Sequence, residues 1–188
     1  MAFEERNGTM TGISINTENL LIRNHVESDW KDLHAYLSLE EIYTFEPGVP
    51  ISMDESKTMI AERCKSNDFI AVVHKKTGRM IGHLYFHHAQ PDQFMTWELG
   101  YIFNPEFQNQ GYCTEAAAAL LQYAFKELKA HKVVSFCNPQ NAASWKVLEK
   151  IGMEQEGFFK KKAFFRKDEK GNPLWHDCYA YGILSDSN

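Results

Sequence analysis

Apolar positions recur along this chain with two periods, and each change of period marks an element. Leu20, Leu21 and Ile22 open a first strand over 20–23, and Ser28 stands as N-cap of a helix through Asp29, Trp30, Leu33 and Leu37. A loop with Tyr43, Phe45, Pro47, Gly48 and Pro50 leads to a second helix, opened by Ser52 or Asp54 and ending near Lys65. Residues 69–74 and 80–87 read as a hairpin around Lys76-Thr77-Gly78. A long strand over 95–103 stops at Asn104-Pro105, and a helix over 112–128 carries Ala117, Leu120, Leu121, Ala124 and Leu128 along one stripe. A strand over 132–137, a helix over 142–151 ended by a left-handed Gly152, and strands over 158–166 and 175–184 complete the pattern. The order predicts one α/β (α+β) domain over 17–188, after a loose polar tail over 1–16 that shows no period.

Composition narrows the partners. With 188 residues and 44% hydrophobic residues, one full core is within reach without staples. The net charge of −5 leaves no basic face for nucleic acid, and Lys160-Lys161-Lys162 reads as a solvated strand end. Four scattered cysteines, Cys64, Cys113, Cys137 and Cys178, suggest neither a metal site nor a disulfide framework, so no metal is expected. No stretch is apolar enough to span a bilayer and no leader segment is evident, so the expected setting is the cytoplasm, without a membrane partner.

Two segments carry candidate chemistry. Gln108-Asn109-Gln110-Gly111-Tyr112-Cys113-Thr114 joins a proline-stopped strand to an amphipathic helix. The first amides of that helix lack intrahelical partners, and its dipole adds partial positive charge, so the junction is either an ordinary turn or a phosphate cradle. The second segment runs from Asn141, suited to N-cap a helix, to Met153. Ser144 precedes Val147, Leu148 and Ile151 by three, four and seven positions, so its hydroxyl lies on their inward stripe, as a cap or facing a ligand.

Gln108-x-x-Gly111-x-Cys113 resembles the Gln/Arg-x-x-Gly-x-Gly/Ala pyrophosphate loop of the GNAT N-acetyltransferase superfamily. Asn141-x-x-Ser144 with Glu149-Lys150-x-Gly152-Met153 looks like the following helix in the ribosomal-protein N-acetyltransferase (RimJ/RimL-like) branch. Trp97-Glu98-Leu99-Gly100-Tyr101 and Trp175-His176-Asp177-x-Tyr179 extend the likeness over roughly residues 20–184. The resemblance implies a central mixed, mostly antiparallel, twisted sheet flanked by helices, with acetyl-CoA as cosubstrate and an amine as acceptor. There are two departures. Cys113 replaces glycine or alanine and adds a thiol open to oxidation. Leu148 stands where many members carry a general-acid tyrosine, and the branch gives that role to the serine matching Ser144.

The chemistry then follows from the residues and the resemblance together. An alkyl ammonium must lose a proton before it attacks a thioester, and a carboxylate in apolar surroundings suits that task. Glu98 is the candidate base, acting directly or through water. It sits between Trp97 and Leu99, and alternation sets Glu98, Gly100 and Ile102 on one face against Trp97, Leu99, Tyr101 and Phe103 on the other. Backbone N–H groups at Ile102 and Phe103 are candidates for holding the oxyanion and the pantetheine arm. Ser144 would protonate the leaving thiolate, and Lys146 could reach a nucleotide phosphate. The acceptor would lie among Tyr43 and Phe45 of the early loop, Tyr85, and Trp175. An N-terminal amine of a protein is the first expectation. A small amine such as a polyamine, amino acid or amino sugar is the alternative, and a non-catalytic acyl-CoA-binding module is the third. Oligomeric state is not legible in the chain.

Overall fold

The computed structural model describes residues 12–185. Its strands are β1 (Ser14–Asn16), β2 (Leu20–Asn24), β3 (Phe69–His74), β4 (Met80–His88), β5 (Thr96–Phe103), β6 (Lys132–Cys137), β7 (Glu154–Lys167) and β8 (Pro173–Leu184). Its α-helices are α1 (Trp30–Leu37), α2 (Met53–Arg63), α3 (Tyr112–Lys126) and α4 (Ala142–Lys150). All eight strands join one sheet in the order β1-β2-β3-β4-β5-β6-β8-β7. Only the β5–β6 pair is parallel, as expected where a helix carries the chain from one strand to its neighbour.

Period-2 alternation gives each sheet face its own helices. Leu20, Ile22, Ile70, Leu84, Leu99 and Phe103 pack with Ala117, Leu120 and Ala124 of α3 and Leu148 of α4. On the other face Ala71, Val73 and Met80 pack with Leu33 and Tyr36 of α1 and Ile60 of α2, and Ile102 borders that cluster. The split of β5 into an Ile102 face and a Leu99–Phe103 face matches its alternation. Gly82 on β4 lets β5 close in, since a Cβ there would meet the Ile102 carbonyl oxygen at 2.7 Å.

The observed boundaries depart from the periodic reading in three places. Ser14–Asn16, the end of the expected tail, pairs with β2 as β1, and Ile13 beside it is buried; residues 1–11 of that tail lie outside those described. Ser28 lies inside a 3-10 turn, Glu27–Asp29, and Asp29 takes the N-cap position of α1 with its carboxylate turned back across the 3-10 turn, making no side-chain cap bond to the helix. Its carboxylate accepts the Val26 N–H at 3.0 Å and two Arg23 guanidinium bonds at 2.8 Å. For α2 the choice falls to Ser52, whose hydroxyl accepts the Glu55 N–H while Glu55 accepts the Ser52 N–H at 2.7 Å. The third departure is the last hairpin, which starts at Glu154 and leaves Phe158, Phe159, Phe164, Phe165 and Trp175 exposed. Among the described residues no helix is long and apolar enough to cross a membrane.

Candidate functional site

A fork in the sheet defines the site. β5 and β6 pair only through Thr96, Trp97 and Glu98, opposite Lys132, Val133 and Val134. Beyond Glu98 the segment Leu99–Phe103 keeps β4 on one side and has no strand on the other. At the branch point Ser135 of β6 donates its hydroxyl to the Leu99 carbonyl at 2.7 Å. The remaining edge offers backbone groups to a ligand, and of the two candidate oxyanion and pantetheine contacts Phe103 lies on it. Ile102, paired with His83 in the register that bonds the Asn104 N–H to the Ile81 carbonyl, turns its N–H to β4.

The loop past β5 is held from several sides. Asn104 is buried and accepts the Glu106 N–H at 3.0 Å, and Gln108 donates its side-chain amide to the Phe103 carbonyl at 3.1 Å. Asn109 and Gly111 both adopt positive φ, 58° and 87°, which turns the chain sharply into α3. Gln108, Asn109, Gln110 and Gly111 are exposed, while Tyr112, Cys113 and Thr114 are half-buried in the first helical turn. Tyr112 reaches His74 with its hydroxyl at 3.3 Å. Glu115 ties the turn to the β1–β2 connection, accepting Thr17 Oγ1 at 2.5 Å and the Asn19 N–H at 2.8 Å. Burial alone would raise that carboxyl, and these bonds hold it below its ordinary value. A Cβ at Gly111 would meet no protein atom within 4 Å, so glycine answers there to backbone angle and to the open space before the amides.

Across the fork stands the first turn of α4. Asn141 caps it, its Oδ1 accepting the Ser144 N–H at 3.2 Å. Tyr101 reaches over from β5, donating to the Ser144 carbonyl at 2.9 Å with its oxygen 3.2 Å from Ser144 Oγ. Burial pushes the Tyr101 phenol far above its ordinary value, with smaller contributions from Cys113 and Cys137 nearby. Burial likewise raises the Cys113 thiol well beyond the normal range and Cys137 to about 12. The expected oxidation liability at Cys113 is therefore countered, because a thiol held protonated is a poor nucleophile. Leu148 is fully buried. Lys146 is exposed, its ammonium 5.5 Å from the Trp145 ring centre.

The structure distributes the remaining candidates unevenly. Glu98 is half-buried opposite His87, on the sheet face away from Tyr101 and Ser144. Its carboxylate makes no hydrogen bond or ion pair with another described residue, and its charge raises the Tyr85 phenol and the Cys178 thiol behind the larger effect of burial. Tyr85 shares that face, its ring 4.7 Å from His87. Tyr43 is buried with its hydroxyl on the Leu37 carbonyl at 2.8 Å, so it braces the early loop from within. Phe45 is half-buried, and Trp175 stands on the far hairpin, 50% exposed and edge-on to Phe164. No cluster of three or more metal-ligating side chains occurs among the described residues.

Three residues at the fork escaped the pattern-based reading. Tyr101 was legible, since a tyrosine on the apolar face of a strand needs a partner for its hydroxyl. Ser135 gave no signal beyond being a lone hydroxyl in an apolar strand. Glu46 lies between Phe45 and Pro47, half-buried with no hydrogen-bond or ion-pair partner, and burial pushes its carboxyl up to about 7. Its charge also acts on Tyr101, which sets the early loop beside the fork.

Residues 19–154 match the acetyltransferase (GNAT) domain family. The uncharacterised N-acetyltransferase YnaD of Bacillus subtilis (strain 168) is 36% identical over 173 residues, 92% of this chain and 97% of its own. A GNAT-family acetyltransferase from Bacillus anthracis, known from its crystal structure, superposes with a TM-score of 0.83 at 35% identity, covering 92% and 99% of the two chains. The ribosomal-protein-S5-alanine acetyltransferase of Vibrio fischeri shares the fold with a TM-score of 0.77 at 22% identity, covering 93% and 98%.

Proposed function

The chain belongs to the GNAT acetyltransferase family and is an acetyl-CoA-dependent N-acetyltransferase; on that premise we propose that its acceptor is a primary amine, first of all the N-terminal amine of a protein. The observation that carries the assignment of the site is the fork. A strand edge without a partner ends in a glycine-bearing loop whose amides face open space, and a polar helix start stands opposite. Pantetheine is an extended chain of amides and suits such an edge, as a pyrophosphate suits the helix N-terminus beyond it.

In this reading the amides from Asn109 to Thr114 hold the pyrophosphate, the Gln108 N–H being bonded to the Pro105 carbonyl at 3.2 Å, with Lys146 at hand for a further phosphate. Phe103 supplies a backbone N–H for the carbonyl oxygen as it gains charge, since the Ile102 N–H is turned to β4. Asn141 fixes the start of α4 and so the place of Ser144. Glu98 takes the ammonium proton, directly or through water, and the freed amine attacks the acetyl carbon. Ser144 then protonates the departing thiolate. Tyr85, Phe45 and Trp175 border the acceptor, with Tyr43 supporting the loop that carries Phe45.

A small cationic amine is the second reading, favoured by two half-buried carboxylates, Glu46 and Glu98, that no basic side chain neutralises. Coenzyme A release from acetyl-CoA, measured with a panel of peptides of varied N-termini and a panel of small amines, tests both. Transfer to peptides alone supports the first reading, transfer to small amines alone the second, and release with no acetylated product removes both.

A further inference from the structure

Ser144 is held at both ends of its peptide unit and at its side chain. Its N–H donates to Asn141 Oδ1 at 3.2 Å, and its carbonyl accepts the Tyr101 hydroxyl proton at 2.9 Å. Since that proton is committed to the carbonyl, the Tyr101 oxygen is left with lone pairs only. At 3.2 Å from Ser144 Oγ it can accept the serine proton but has none to give. Burial keeps the phenol protonated, so it always has a proton for the Ser144 carbonyl. Leu148, one turn further along α4, is fully buried and offers no polar atom. The hydroxyl pair therefore joins the strand that carries the free edge to the helix that faces it.

We propose that Tyr101 is the positioning residue for Ser144: it fixes the serine's side-chain rotamer and parks its proton toward β5 until the thiolate forms. The inference rests on the reading of Ser144 as proton donor. In the step, the amine nitrogen bonds to the acetyl carbon and releases its second proton to solvent, the carbon–sulfur bond breaks, and its electron pair stays on sulfur. The Ser144 proton swings from the Tyr101 oxygen to that sulfur, and a solvent proton refills Ser144. Tyr101 changes neither charge nor proton count. It acts by holding a short side chain in one rotamer, where a serine on an exposed turn would sample several.

The test is a double-mutant cycle on the full chain, with turnover, acetyl-CoA affinity by calorimetry and the solvent isotope effect read for each protein. Tyr101→Phe keeps the ring and its packing and removes one oxygen. It is expected to lower kcat about 10-fold, below the roughly 10²- to 10⁴-fold of a full proton-transfer loss because the donor itself remains, with acetyl-CoA affinity within about twofold. Tyr101→Phe/Ser144→Ala is expected to match Ser144→Ala alone, because nothing remains to be positioned. The isotope effect should shrink in Tyr101→Phe and in Ser144→Ala to the same value. Losses that multiply in the double variant, or an isotope effect untouched by Tyr101→Phe, overturn the proposal and leave Tyr101 a packing residue. Wild-type protein that acetylates no amine in either panel would instead remove the reading beneath it. Should Tyr101→Phe not fold, the isotope effects of wild type and Ser144→Ala decide, since equal values exclude a proton in flight from Ser144.

Discussion

Gln108 and Phe103 are joined by a side-chain amide to carbonyl bond of 3.1 Å, which fastens the start of the cofactor loop to the end of the strand it follows. Strand edge and loop are thereby one rigid surface, and a long cosubstrate that touches both needs no loop closure to find its second contact.

Gly111 tests that surface. Its φ of 87° costs a residue with a Cβ roughly 1–2 kcal/mol, and the space ahead of it is free of protein atoms. Gly111→Val should therefore leave the fold standing and abolish acetyl-CoA binding by intruding on the ligand. Calorimetric titration checks this, and an unchanged affinity would remove the pyrophosphate assignment.

Ser144→Ala should reduce turnover by about 10- to 100-fold, a modest range because a thiolate leaves more readily than an alkoxide. Adding Leu148→Tyr should recover little. Leu148 is 0% exposed, and a larger ring there costs about 1–3 kcal/mol of strain, readable as a lowered melting temperature. A fully active Ser144→Ala would reduce the serine to part of the Asn141-capped turn.

Glu98→Gln should lower turnover by about 100-fold or more across the pH–rate profile, with acetyl-CoA affinity preserved. Wild-type rates across the profile would pass the base role to bulk water or another group.

Glu46 gives a pH dependence of stability with a defined sign. Its folded-state carboxyl, near 7, lies above the unfolded value of about 4.3, so the folded chain holds the extra proton between them. Stability falls as pH rises through that window and then levels off. Glu46→Gln should flatten the fall and be more stable than wild type at pH 8 by about 1–3 kcal/mol. Denaturant melts at acid and alkaline pH give the comparison, and parallel curves for the two proteins would contradict it.

Asp29 has the opposite sign. Burial favours its neutral form, but bonds from Arg23, His25 and the Val26 amide hold its carboxyl well below the carboxylate range. Its contribution is complete above the unfolded value of about 3.9 and is lost only as pH falls toward the depressed folded value. Asp29→Asn should cost about 2–3 kcal/mol at neutral pH, and the gap to wild type should close in strong acid.

The strands and helices were legible because each buries one face and so writes its period into the sequence. The stripe Ala117, Leu120, Leu121, Ala124 located α3, and strict alternation sorted Glu98 from Tyr101. What escaped was whatever depends on a partner distant in the chain. β1 is three residues long, too short for a period to show, and owes its place to β2. Ser28 and Asp29 are both capping residues by type, and only the guanidinium of Arg23 decides between them. Glu46 reads as an ordinary loop carboxylate until the burial of the early loop beside the fork is known. The 108–114 loop, proposed to hold the cofactor, stood out through a contiguous motif, whereas the hydroxyl contact between positions 101 and 144 has no local signature.

The fork has a consequence for the protein when it carries no coenzyme. Unpaired strand edges are the surfaces by which β proteins associate, and most sheets keep theirs at the outer rim, short or charged. Here such an edge lies in the middle of the sheet, and in the proposed reading its occupant is a small molecule that comes and goes with each turnover. Coenzyme saturation at 100 times its dissociation constant would add about 2.7 kcal/mol of stability. It would also mask an interior run of backbone able to recruit a foreign strand. The empty enzyme is thus the form most exposed to association, and keeping it charged protects its solubility as well as its rate.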